Sequence, residues 1–174
     1  MLHDEAEQKE IRNAFESFLK KRSLKLTSQR ERIFERVFET HEHFSAETLY
    51  NWLREEDGPR VSRATVYRTV SLLEEGGFLE SLDTGAGEML YEHVLGHHHH
   101  DHLVCIDCRR IEEFVDEEIE KLQEKAAKSK GFQLVSHNLR LFGVCGDCQA
   151  QREKEGRTMD RSFVPRSTST AKRS

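Results

Sequence analysis

Over the first eighty residues the apolar positions recur at helical spacing, in four separate runs. Ile11, Ala14, Phe15, Phe18 and Leu19 share one face and predict a helix over residues 4–22. Ser28 followed by Glu31 has the form of a capping box, where a hydroxyl and a carboxylate each serve a backbone N–H at a helix start. It predicts a second helix with Ile33, Phe34, Val37 and Phe38 inward. Ser45 predicts the cap of a third helix with Leu49, Trp52 and Leu53 inward, ended by Gly58-Pro59. Ser62 precedes a fourth, which buries Val66, Val70 and Leu73 and stops at Gly76-Gly77. The pattern then changes. Phe78–Leu82 and Glu88–Tyr91 flank Asp83-Thr84-Gly85-Ala86-Gly87, which reads as a β-hairpin. Helices followed by a hairpin is the layout of a winged helix-turn-helix domain.

Val94–His102 is a His-rich connector and a hinge candidate. Beyond it, Leu103–Ile106 and Ile111–Val115 read as strands. Asp116–Lys130 reads as a helix with Ile119, Leu122 and Ala126 inward, ended at Gly131. Phe132–Val135 and Leu139–Val144 alternate like strands. The expected fold is α+β: an N-terminal winged helix-turn-helix domain, then a small α/β domain that needs a partner subunit to complete its core. The last twenty or so residues are Ser-, Thr-, Lys- and Arg-rich with little apolar material, so a disordered tail is expected.

Composition changes this picture in one respect. The chain has 174 residues and a net charge of −5, so it carries no global basic field for nucleic acid. Local groups exist: Lys20, Lys21, Arg22 and Lys25, then Arg60, Arg63 and Arg68. Residues 86–148 are acidic, with 7 Lys/Arg against 12 Asp/Glu, and the tail is basic. DNA binding would therefore come from a local patch, used twice in a dimer. No apolar run approaches the length of a membrane-spanning helix, and Met1–Glu10 is not a secretory signal. A cytoplasmic protein with no membrane partner is expected.

The sharpest chemistry is Cys105-x-x-Cys108 with Cys145-x-x-Cys148. Each pair puts two sulfurs on one tight turn, and two such turns make a tetrahedral thiolate set suited to structural Zn2+. The alternatives are a redox pair or unrelated free thiols. His97-His98-His99-His100-Asp101-His102 sits just before Cys105, internal to the chain and so not a tag. On extended backbone, His100 and His102 face one way, and His99 and Asp101 the other. One strand thereby supplies two separate imidazole and carboxylate sites, suited to Fe2+, Mn2+, Co2+ or Zn2+. A solvated His-rich loop is the bland alternative. Glu113, Glu120, His137 and His43 would each read alone as surface groups. Arg63, Thr65, Tyr67 and Arg68 cluster near the start of the fourth helix, where a recognition helix reads the major groove.

Ser-Ala-Glu-Thr-Leu-Tyr (45–50), Ala-Thr-Val-Tyr-Arg-Thr-Val (64–70), Tyr-Glu (91–92), His-His-Asp-His-Leu-Val-Cys-Ile-Asp-Cys (99–108) and Ile-Glu-Glu-Phe (111–114) together resemble the ferric uptake regulator family, over about residues 24–148. These are dimeric, metal-responsive bacterial repressors. The resemblance implies a winged-helix domain over 1–92, with 1–23 as an N-terminal helix extension, and a metal-binding dimerisation domain over 93–150. Residues 151–174 lie outside it as the basic tail. It assigns Cys105, Cys108, Cys145 and Cys148 to structural zinc. Carried over by motif, the regulatory metal falls to His43, Glu92, His100, His102 and Glu113, and an additional metal to His99, Asp101, Glu120 and His137. Glu92 and His93 compete for one ligand position, and Glu92 is preferred. Lys25, Arg63, Thr65, Tyr67 and Arg68 become the DNA contacts. Arg109-Arg110 departs from the Gly-Lys of many members. Glu113, where peroxide sensors carry Asp, and the full His-His-Asp-His-Leu pattern favour Fe2+ as effector, with Mn2+ or Zn2+ behind. The implied function is a metal-dependent repressor, not an enzyme, that binds an inverted-repeat duplex operator as a homodimer. The readings from other classes are a metal-storage protein and a metallohydrolase.

Overall fold

The computed structural model describes residues 5–84, 87–94 and 100–158, in two units, one running to His97 and the other starting at His98. Because strand pairing continues through His93, the first unit extends past the boundary expected at residue 92. It comprises α1 (Glu5–Lys21), α2 (Ser28–Glu39), β1 (Phe44–Ser45), α3 (Ala46–Glu55), α4 (Arg63–Glu75), β2 (Leu79–Asp83) and β3 (Met89–His93). The strands form one antiparallel sheet in the order β1-β3-β2, with Phe44 opposite Tyr91 and Ser81 opposite Tyr91 on the other side. The tip of the hairpin, Gly85-Ala86, and the connector 95–99 lie outside the described residues.

The helical spacing holds because each helix buries one stripe. Phe15, Leu19, Ile33, Leu49, Val66 and Leu73 are wholly buried in a single core. Phe15 stacks on Phe34 at 5.6 Å and meets Phe78 edge-on at 5.3 Å. Each such aromatic pair adds about 0.5–1.5 kcal/mol beyond its buried area. The N-terminal helix is therefore part of this core. Arg12 of α1 pairs with Glu31 of α2, and the Arg22 guanidinium lies 3.8 Å over the Phe18 ring.

Ser45 and Ser62 cap α3 and α4, each accepting from the N–H three residues on, Thr48 at 3.0 Å and Thr65 at 3.1 Å. The start of α2 differs from the capping-box expectation. Thr27, not Ser28, is the cap, and its hydroxyl accepts from the Arg30 N–H. Glu31 is drawn away to Arg12, so it does not close a box.

In the second unit β4 (Asp101–Cys105) is central, antiparallel to β5 (Ile111–Phe114) and parallel to β6 (Arg140–Gly143). Helices α5 (Glu117–Ser129) and α6 (Gly146–Glu155) complete it, and the Asp116 carboxylate caps α5 by accepting from the Glu118 and Ile119 N–H groups. Its buried hydrophobic residues are few: Val104, Cys105 and Val144. Three expectations change here. The apolar stripe of α5 is real, but none of its residues is buried, and Leu122 is 62% exposed. Phe132–Val135 does not pair as a strand, since β6 reaches β4 only from Arg140 on. Residues 151–155, expected in the disordered tail, continue α6 to a left-handed Gly156 cap; residues 159–174 lie outside the described residues.

Candidate DNA-reading helix and metal sites

Helix α4 presents its polar side from a capped N-terminus. Tyr67 and Arg68 are exposed in its first half. Arg63 is engaged sideways: its guanidinium meets Glu47 at 2.7 Å and lies 5.0 Å over the Tyr50 ring, both on α3. Thr65 is half-buried, with its hydroxyl 2.8 Å from that of Ser62. Lys25 is exposed just before α2, and its carbonyl accepts from Arg30 at 2.6 Å. Of the five residues singled out by sequence, Tyr67, Arg68, Lys25 and Arg63 are exposed, Arg63 while also paired to α3, and Thr65 is half-buried at the helix start.

The two CxxC pairs converge within the second unit. Cys105 ends β4, Cys108 closes the turn after it, and Cys145 and Cys148 open α6. All four sulfurs lie within 4.8 Å of one another, and Cys108 Sγ is 3.7 Å from Cys145 Sγ. The edge of a zinc tetrathiolate is about 3.8 Å for Zn–S bonds of about 2.3 Å. The donor set therefore fits Zn2+, and all four cysteines are without a disulfide. Burial pushes the Cys105 thiol up, but N–H groups of Cys145, Cys108 and Asp107 outweigh that and hold it down at about 6. Hydrogen bonding to Cys145 pushes the Cys148 thiol up to about 12. An already anionic sulfur is the form a metal takes up first.

Sequence reasoning missed what frames this site. Arg152, on the part of α6 expected to be tail, forms a two-pronged ion pair with Asp107 inside the first CxxC, at 2.6 Å on both prongs. The guanidinium holds the Asp107 carboxyl below the usual carboxylate range. Arg110 bonds Asp147 of the second CxxC at 3.2 Å. Arg109, at the position where many relatives of this pattern have Gly, adopts φ +66°, a left-handed conformation costly for a side chain. A left-handed turn position is one that Gly adopts without that cost.

The alternation along β4 places its ligand candidates on two faces. His102 is buried and directly opposite Glu113 across the β4–β5 ladder. His100 Nε2 is 3.8 Å from Glu113 Oε1, and its ring meets that of His102 edge-on at 5.0 Å. On the other face, buried Asp101 meets half-buried Glu120 of α5 and His137, all three offering ligand atoms within 4.8 Å of one another. His137 Nε2 is 2.9 Å from Glu120 Oε2. The fourth candidate of this set, His99, lies outside the described residues, as do His97 and His98.

In the first unit His43 Nε2 is 3.5 Å from Glu92 Oε2, both side chains largely shielded. Neighbouring His93 faces the other way. It is buried, its Nε2 is 2.7 Å from the Thr40 carbonyl, and its ring packs on Phe38 at 5.2 Å. The geometry favours Glu92 over His93 as the one available for a metal.

With the geometry in place, comparison with known proteins is informative. The ferric uptake regulator family model matches residues 21–142. The ferric uptake regulation protein of Neisseria meningitidis is 43% identical over 138 residues, covering 78% of this chain and 94% of its own. That of Campylobacter jejuni is 37% identical over 155 residues, covering 88% and 98%. The structure is similar to that of the Helicobacter pylori ferric uptake regulator, which has three functional metal-binding sites, with a TM-score of 0.70 and 32% identity over 82% of this chain and 93% of that one. Motif, donor geometry and fold agree with this likeness across most of the chain, which belongs to the ferric uptake regulator family of transcriptional regulators.

Proposed function

We propose that the protein is an iron-responsive repressor that binds an inverted-repeat operator as a homodimer. The carrying observation is a capped helix exposing Tyr67 and Arg68 in a chain that also gathers His and carboxylate donors on both sides of residues 95–99. Cys105, Cys108, Cys145 and Cys148 hold a structural Zn2+, a closed four-sulfur site with no position left for substrate. His43 and Glu92 from one unit, with His100, His102 and Glu113 from the other, hold the regulatory ion. Each group alone falls short of the donor number a first-row cation takes, and that favours joint use. Asp101, Glu120 and His137, with His99, hold the additional ion. Iron leads because the chain belongs to the ferric uptake regulator family and carries Glu113 with the full His-His-Asp-His-Leu pattern, while the same nitrogen and carboxylate donors can also take Mn2+ or Zn2+.

In mechanism the ion acts as a population shift. It favours the arrangement that completes its donor set, by no more than its differential affinity for that arrangement. In the favoured state two copies of α4 enter successive major grooves, Arg68 pairs with a guanine edge, and Lys25 meets the backbone or minor groove. Arg63, Thr65 and Tyr67 add contacts from the start of α4, where Arg63 and Thr65 also brace the helix. The exposed Leu122, Phe132 and Val135 of the second unit are the dimer surface. The protein acts in the cytoplasm and is not an enzyme.

The test is an anaerobic fluorescence-anisotropy titration of the zinc-loaded protein onto an AT-rich inverted-repeat duplex, with and without added Fe2+, Mn2+ or Zn2+. Binding that requires added Fe2+, and that His100→Ala abolishes without unfolding, is expected. Binding to no duplex under any metal overturns the reading, and a response to Mn2+ or Zn2+ alone renames the effector.

A further inference from the structure

The Arg32 side chain of α2 is 13% exposed and reaches into the turn that joins α3 to α4. Its guanidinium donates to four backbone carbonyls there: Leu53 at 2.9 Å, Glu56 at 3.1 Å, Asp57 at 3.4 Å, and Pro59. These are the orphan acceptors at the end of α3 and along the turn, groups a helix end cannot satisfy by itself. Gly58 makes the seat. A Cβ there would lie 3.0 Å from Arg32 Cζ and 3.1 Å from Nε, and its φ of +142° disfavours a side chain in any case. Two further residues of α2 hold the same turn. Gln29 Nε2 donates to the Arg60 carbonyl at 3.0 Å, and Arg36 meets Glu56 at 2.6 Å. Val61, buried, and Ser62, the α4 cap, follow directly.

We infer that Arg32, seated on Gly58, is a positioning residue that sets the direction of the recognition helix and makes no DNA contact of its own. The inference rests on α4 reading DNA. The planar fork holds two nitrogens at a fixed separation, Nη2 on Leu53, Glu56 and Asp57 and Nη1 on Pro59, which the single nitrogen of an ammonium does not reproduce, so lysine does not replace it. Removing it frees the turn and lets α4 pivot about its packed face. Base readout needs correct placement of side chains, whereas phosphate attraction does not. Specific affinity should fall while nonspecific affinity holds.

The experiment compares wild type, Arg32→Lys, Arg32→Ala and Gly58→Ala with full metal loading. It uses operator and scrambled duplexes over a range of salt, alongside amide hydrogen exchange of the free proteins. Operator affinity should drop roughly tenfold or more in each variant, with scrambled-duplex affinity unchanged within about twofold and an unchanged salt slope. Arg32→Ala in the Gly58→Ala background should add little, because both remove one device. Exchange at residues 56–66 should quicken in all variants. A salt slope reduced by about one phosphate contact, with equal loss on both duplexes, would mean that Arg32 touches DNA and overturns the inference. So would full operator affinity in Arg32→Lys, or unaltered exchange in the turn. If wild type itself binds no duplex, the DNA reading fails on that arm alone, and the exchange data still decide whether Arg32 orders the turn. Should Arg32→Ala fail to fold, Arg32→Lys and Gly58→Ala carry the test.

Discussion

The two units are held together by different forces. The first has an aromatic and aliphatic core to which every helix contributes, with Phe15, Leu19, Ile33, Leu49, Val66 and Leu73 wholly buried. The second is smaller, buries Asp101 and His102 beside Val104, Cys105 and Val144, and leaves Phe132 72% and Val135 92% exposed. A unit that buries this little apolar area cannot offset chain entropy from its own core. On the proposed function, ions and a partner subunit make up the difference, and ligand binding and folding become one event there.

The strongest way to break this contrast is to remove Cys145, one of the four proposed zinc ligands. Cys145→Ala should unfold the second unit, forfeiting on the order of 10 kcal/mol of metal binding, while the first unit stays native. The chain's single tryptophan, Trp52, sits in the first unit, so its emission should not shift while far-UV helicity falls. A red shift of Trp52 in that variant would show that the units do not stand separately. The mirror experiment is Phe15→Ala, which should cost about 3–5 kcal/mol in thermal unfolding followed by Trp52 and leave the zinc content at one per chain. Leu122→Glu sharpens the claim about the partner. It should weaken dimerisation by at least about 2 kcal/mol, roughly thirtyfold, in sedimentation equilibrium, while the Trp52-reported melt is unmoved. A dimer of undiminished strength would place the partner surface elsewhere. The smallest effect belongs to Ser62→Ala, which removes the α4 cap and should cost about 1 kcal/mol in the first unit's melt.

The same contrast explains what could be read from sequence. In the first unit periodicity sufficed because each stripe meets its counterpart in the same chain, and even the caps at Ser45 and Ser62 were legible. Thr27 caps α2 in place of Ser28, and Glu31, the second half of the expected box, pairs instead with Arg12, nineteen residues away. In the second unit the stripe on α5 was visible, but its exposure was not, since periodicity shows which face is apolar and not whether anything covers it. Phe132–Val135 has the composition of a strand, yet β4 already has β5 on one side and β6 on the other. The cysteine spacing was legible because thiolates on tight turns have little else to do. Arg152–Asp107 joins residues 45 positions apart, and Arg32 answers to backbone carbonyls, which have no sequence signature.

Neighbours on β4 supply different clusters, Asp101 to one face and His102 to the other, on a strand pinned from both sides by β5 and β6. Adding or deleting one residue in that strand would exchange every side chain between faces. The two clusters are therefore inseparable to insertions and deletions, and a lineage can retune one while keeping the other only by point substitution.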